Sequence, residues 1–209
     1  MKTLRAIYTL AASVLIGFTL SGCNGPGADC FPEKYYYSVD GLILYNMAYS
    51  PDHWRIYTDS SIHKDSYGIA LHTDIMPLNE PYPQKQASLQ SFGQKDECMP
   101  ILYPKDSIVS LRIVTETAFS STLPAGSEVT TLFKVEDNWI QANEYEYIAI
   151  PEYLNRPAPI VGDYRGPIIR CRLMEAPQNA GEYSFSVTLI LSDGREITQK
   201  ISATLTEPE

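Results

Sequence analysis

From Tyr35 to the C-terminus, apolar and polar residues follow one another with the period of β-strands, and no stretch keeps a helical period for long. Val39 to Tyr49 is an almost unbroken apolar and aromatic run, the pattern of a strand covered on both faces. Ser50-Pro51-Asp52 marks a turn, and Arg55 to Thr58 reads as a short edge strand. Ile69, Leu71, Thr73 and Ile75 then alternate with Ala70, His72 and Asp74, which predicts a half-buried strand. Prolines at 77, 81, 83, 100 and 104 break up the next thirty or so residues, leaving room for a brief helix over Gln84 to Phe92. A strand returns at Ile108 to Thr117, followed by a turn at Pro124-Ala125-Gly126-Ser127. Val129 to Val135 fits a strand, or a short helix running into one, and Tyr145 to Ile150 fits a strand. Residues 151–167, with Pro151, Pro157, Pro159 and Pro167, read as a long surface connection, and Gly166 to Met174 as the strand bearing Cys171.

The last thirty residues allow a register to be worked out. Tyr183, Phe185, Val187, Leu189 and Leu191 lie on one face of a strand; Ile197, Ile201, Ala203 and Leu205 lie on one face of the next. Directly opposed residues of an antiparallel pair point to the same side. A two-residue Asp-Gly loop would pair odd positions with even ones. A three-residue loop, Ser192-Asp193-Gly194, instead sets Leu189 opposite Ile197, Phe185 opposite Ile201 and Tyr183 opposite Ala203. Such a loop ends in a left-handed residue, which Gly194 adopts without steric cost. Gln199 opposite Val187 is the one misfit and marks an edge or a bulge. Seven or eight short strands with turn-rich links predict an all-β fold, an antiparallel β-sandwich with long Pro-rich connections. The closing Gly181-Glu182-Tyr183-Ser184-Phe185-Ser186-Val187 with Asp193-Gly194 resembles the final hairpin of immunoglobulin-like domains; the Cys…Trp…Cys spacing of antibody domains is absent.

The N-terminal block differs in kind. Lys2 and Arg5 precede fifteen uncharged residues, Ala6 to Leu20, and the run ends in Leu20-Ser21-Gly22-Cys23. A basic head, a short apolar middle and small residues make up a secretory leader, too short for a stable membrane span. At this box the chain resembles the bacterial lipoproteins, which are cleaved before the cysteine and acylated on it. That resemblance implies a signal peptide at 1–22, a lipid on Cys23, and a cell-envelope location at the outer membrane or cell surface. Two or more acyl chains hold a protein stably where one does not. Residues 24–34, rich in Gly and Pro, read with Cys23 as a short tether (23–34), and 35–209 as a single sandwich domain.

Charge narrows the partners. The chain carries a formal net charge of −9, and loss of Lys2 and Arg5 with the leader makes it −11. An acidic domain with a pI near 4.8 lacks the basic footprint that phosphate backbones require, so no nucleic-acid partner is expected. Attraction to anionic headgroups is disfavoured too, which leaves membrane contact to the lipid on Cys23. Of the four cysteines, lipid takes Cys23 and three remain: Cys30, Cys98 and Cys171. In an oxidising compartment three thiols yield one disulfide and one leftover. Cys171 alternates with apolar neighbours and reads as a buried thiol; Cys30 and Cys98 lie in polar surroundings and are paired here. Such a bridge would stabilise by about 4 kcal/mol in the chain-entropy model.

Motifs for chemistry are sparse. The chain has no nucleophile elbow, zinc-helix motif, Cys-x-x-Cys pair or phosphate-binding Gly loop. His53 and His63 lie near Asp52, Asp59 and Asp65 without ligand spacing; His72 falls on the polar face of its strand; Asp137 and Asn138 lack the repeating acids of a calcium loop. No catalytic residue, metal ligand or cofactor is assigned. Glu144 and Glu146, two apart on one strand face, are the acids from which an atypical hydrolase would be built. Tyrosines such as Tyr35, Tyr36, Tyr37, Tyr45, Tyr49 and Tyr57 suit strands, while Trp54 and Trp139 in loop-like settings are the aromatics most suited to contact a ligand. Cys30 with Tyr35-Tyr36-Tyr37, Asp106-Ser107-Ile108 running into Leu111-Arg112-Ile113, and Ala125-Gly126-Ser127-Glu128-Val129-Thr130 with Phe133 carry a further resemblance. In these the chain is similar to the uncharacterised Bacteroidota lipoproteins of a domain-of-unknown-function family, which implies no activity. The expectation is a non-catalytic envelope lipoprotein with a binding or assembly role, its partner an envelope protein or a glycan. A carbohydrate-binding accessory and a hydrolase using Asp or Glu are the alternatives.

Overall fold

Phe185 sits where the apolar faces of two sheets meet, fully buried, with the ring of Tyr67 stacked on it at 5.6 Å and that of Phe133 edge-on at 5.9 Å. These rings come from three distant stretches of chain, and the architecture follows from bringing them together. The computed structural model describes residues 34–50, 53–57, 61–81, 101–137, 146–156, 160–161 and 167–207, all within one compact unit spanning 33–85 and 99–209.

The strands are β1 (Lys34–Ser50), β2 (His53–Tyr57), β3 (Ser61–His63), β4 (Tyr67–Pro81), β5 (Ile101–Pro104), β6 (Ile108–Thr115), β7 (Phe133–Asp137), β8 (Glu146–Ala149), β9 (Ile160–Val161), β10 (Ile168–Leu173), β11 (Gly181–Leu191) and β12 (Glu196–Thr206). Among the described residues a five-residue helix, α1 (Ile150–Leu154), follows β8 directly. The larger sheet runs β8-β7-β10-β4-β1-β5-β9, with β2 also on β1; the smaller runs β3-β12-β11-β6. The expected all-β sandwich is therefore what the chain forms. Among the described residues the pairings are antiparallel except two, β1 with β5 and β12 with β3. Parallel neighbours need a long crossover, and in both pairs the partners are far apart in sequence.

The C-terminal hairpin has the register that its pattern predicts: Leu189 faces Ile197, Phe185 faces Ile201 and Tyr183 faces Ala203. Gly194 closes the three-residue loop with φ +87° and donates its N–H to the Leu191 carbonyl at 2.9 Å. Gln199 does oppose Val187 and is exposed, because burial on β12 is confined to Ala203 and Leu205. The turn at 124–127 also forms, with Ser127 N–H on the Pro124 carbonyl and Gly126 at φ +87°. Val129 to Val135 resolves into a 3-10 turn at Thr130–Leu132 followed by β7.

Two strands exchange the roles their patterns predict. β1 is half-exposed, with Ile43 at 45% exposure, whereas the first five residues of β4, Tyr67 to Leu71, are buried on both faces. The reason is side-chain size. Gly68 lies between Met47 and Arg172 of the neighbouring strands, and Ala70 between Tyr45 and Arg170, so larger side chains close over the outer face of β4. Residues 151–167, expected as plain connection, contain most of α1 and all of β9. Proline at the first turn of α1 suits a helix start, since its missing N–H would have no partner there. The brief helix expected over Gln84 to Phe92 lies outside the described residues.

The buried side chains form two clusters. The larger joins Tyr67, Ile69, Leu71, Phe133, Val135, Cys171, Phe185 and Leu189; the smaller joins Tyr37, Val39, Ile75, Leu102 and Leu191. Ile108 and Ile197 touch both.

Candidate functional site

Where β6 begins, the two sheets part. Ile190 of β11 faces Ser110 of β6 and Leu191 faces Ile108, which leaves Val109 as the extra residue of a bulge. Val109 is 54% exposed. Beside it opens a cleft of about 460 Å³, lined by Tyr37 and Val39 of β1, Ile108 and Val109 of β6, Tyr153 and Leu154 of α1, and Ile169 of β10. The volume lies within the usual range of small-molecule sites. Strand alternation explains the inner wall, since Tyr37, Val39 and Ile169 are buried inward-facing positions.

The charged residues on the cleft wall are Asp106 and Arg156, and each belongs to a triad of ion-paired side chains. Arg156 pairs with the buried carboxylate of Asp137 and donates to Glu152 Oε1 at 3.1 Å. Arg195 donates to Asp106 Oδ2 at 3.0 Å, to Asp193, and to the Val39 carbonyl at 3.0 Å and Ser38 Oγ at 3.1 Å. Asp106 and Arg156 themselves line the cleft. Arg195 holds the Asp193 carboxyl below the ordinary carboxylate range, and the two carboxylates in turn raise the guanidinium. Lys105, next in the chain to Asp106, is paired with Glu80 at 2.6 Å.

Tyr37 stands apart among the lining residues. Only 4% of it is exposed. Burial pushes its pKa up to about 12, so it is a neutral phenol near pH 7. Burial raises the Tyr153 phenol as well.

A second cluster occupies the outer face of the larger sheet. The Arg172 guanidinium lies 4.0 Å from the Tyr49 ring centre and 5.2 Å from that of Tyr147, and the two rings meet edge-on at 6.5 Å. This clamp ties β1, β10 and β8 together through cation–π attraction. It occupies a face of Tyr49 that a sugar ring would need for stacking.

The residues expected from sequence fall as follows. Trp54 lies in β2 opposite Tyr49. Cys23, Cys30, Cys98 and Trp139 lie outside the described residues, as do Glu144 and Asn138. Cys171 is a free, fully buried thiol, its pKa raised to about 12 by desolvation. Its surroundings are thus those of a core side chain. His63 Nδ1 lies 3.1 Å from the Glu207 carbonyl oxygen, and His72 is part-buried on the outer face. Asp137, weighed above as a calcium ligand, is instead committed to Arg156, and Glu146 opposes it as an exposed side chain. Among the described residues no three His, Cys, Asp or Glu side chains cluster as a metal site.

Residues 40–202 match the family model described as domain of unknown function (DUF5034). The chain belongs to this family. No curated protein matches it. Among solved structures, the DUF5034 chain is similar to the C-terminal domain of the Streptococcus agalactiae AgI/II polypeptide BspA, at 10% identity and a TM-score of 0.30, over 78% of this chain and 49% of that one. A mutant form of the BspA C-terminal domain gives 9% identity and a TM-score of 0.27 over 78% and 46%. The DUF5034 chain spans about half the length of these chains. Sequence reasoning passed over Tyr37, Asp106, Tyr153, Arg156 and Arg195 as site residues. The only local signal was Arg195 directly after the Asp193-Gly194 turn.

Proposed function

We propose that this DUF5034 protein is a lipid-anchored envelope protein whose sandwich domain binds a ligand or partner in the cleft beside β6 and carries out no catalysis. The observation behind the binding role is the cleft itself: an aliphatic and aromatic wall, with its charged groups held at the rim in ion pairs. Fixed polar groups around an apolar interior give orientation and specificity to a bound molecule. Acid–base chemistry instead needs a carboxyl whose protonation is poised near the working pH, and the rim carboxylates are engaged with arginines. The anchor is supported by the basic, apolar and small-residue blocks that end at Cys23.

The anchor is tested by metabolic labelling with a fatty acid and by fractionation. Cys23→Ala is expected to lose the label and move the protein to soluble fractions. Unchanged labelling and membrane association would remove the anchor from the account. A glycan ligand held by Trp54 is the second reading, since β2 places that residue opposite Tyr49. A glycan array on which Trp54→Ala and the parent chain give the same signals would dismiss it.

A further inference from the structure

We propose that the outer face of the larger sheet docks on an anionic lipid surface, so that the anchored domain lies against the membrane instead of standing off it. This rests on Cys23 being the lipid anchor, and adds which face of the domain meets the bilayer.

Three observations converge. The first is where exposed apolar side chains fall. Among the described residues five large ones are exposed, and four of them share this face. They are Ile43 of β1, Met76 of β4, Ile168 of β10, and Met174 one step beyond β10 in the same alternation. Ile43 and Ile168 flank His72 on adjacent strands, so they make a patch and not scattered points. The second is charge. Lys34, Lys134, Arg170 and Arg172 alternate outward on this sheet against Asp74 and Glu136, a net +2 on a chain whose total is −9. Glu80 does not offset this, because Lys105 neutralises it. The outer face of the smaller sheet is opposite in kind. It carries hydroxyls such as Ser184, Ser186 and Thr198, and its Arg112 and Lys200 are outnumbered by Glu116, Glu182 and Glu196. The third is the point of attachment. The tether enters the domain at Lys34, the first residue of β1 in the larger sheet, eleven residues on from Cys23 and so within about 40 Å of it. A sheet tethered this closely meets the bilayer at high effective concentration, so a modest patch suffices. Basic side chains near an anionic surface and apolar area at the headgroup boundary each add to such binding. The acidic total of the chain does not describe this face.

The lipidated chain is reconstituted in vesicles of phosphatidylcholine alone, and in vesicles of equal parts phosphatidylcholine and phosphatidylglycerol. Hydroxyl-radical footprinting at low salt, read by mass spectrometry, then compares Met76 and Met174 with Val109, which is exposed elsewhere. Oxidation of Met76 and Met174 is expected to be roughly threefold or more slower on the anionic vesicles than on the zwitterionic ones, with Val109 unchanged, and the difference is expected to shrink in high salt. The double variant Lys34→Glu, Lys134→Glu is expected to remain anchored and to lose that difference. Anchored protein whose Met76 and Met174 react alike on both vesicles overturns the docked face while leaving the anchor. Protection that grows with protein density on the vesicles, and not with lipid charge, assigns the face to a second copy of the chain and overturns the lipid surface. Protein that associates with neither vesicle overturns the anchor and the docked face together.

Discussion

At Phe185 and at Ile108 the same two sheets face each other, yet one end of the sandwich is filled and the other is open. Around Phe185 the gap is closed by large rings from β4, β7 and β11, with Phe119 and Tyr183 meeting edge-on at 6.1 Å nearby. Around Ile108 the edge strand bulges at Val109, and a cleft of about 460 Å³ remains. Interiors are ordinarily packed to crystal-like density, so an opening of this size needs support from outside the core. Arg195 and Arg156 provide it by joining distant segments through ion pairs and hydrogen bonds at the rim. Closure by packing favours stability, and closure by a polar frame leaves room for a guest.

Substitutions separate the two ends. The largest effect belongs to Phe185→Ala, which is expected to cost about 3–5 kcal/mol in urea unfolding, because the ring is fully buried between two others. A loss below about 1 kcal/mol would mean that this end is not closed by packing. Cys171→Ser comes next, at about 1–3 kcal/mol, since it places a hydroxyl where the thiol is wholly buried. The native thiol should resist maleimide at pH 8 and react only on unfolding, as the thiolate is the nucleophile and burial suppresses it. Fast labelling of the folded protein would show that the core opens locally. Val109→Trp is the smallest, within about 0.5 kcal/mol of the parent, because the side chain sits at the mouth. A large destabilisation there would make Val109 part of the core.

The hairpin was legible because its information is local: two alternating strands and one Asp-Gly turn admit a single register that buries Phe185 and Leu189 together. The lining of the cleft was not, since Tyr37, Ile108, Tyr153 and Ile169 come from four segments brought together only by the fold. The same limit explains β1 and β4. An apolar run in β1 fits a doubly covered strand, but cover is decided by what lies beside it, and Arg172 and Met47 shelter Gly68 while Ile43 stays in water. Charge patterning was equally silent: nothing near Asp137 in sequence announces Arg156 as its partner.

Two-dimensional methyl NMR of the chain during a titration with hexanol, a small apolar probe, tests most directly whether the open end is where this protein meets its ligand. The expected result is progressive, saturating shifts of the Val39, Ile108, Leu154 and Ile169 methyls, with Leu71 and Leu189 unmoved. Shifts that spread evenly over both groups, or that appear only around Leu71 and Leu189, would contradict it.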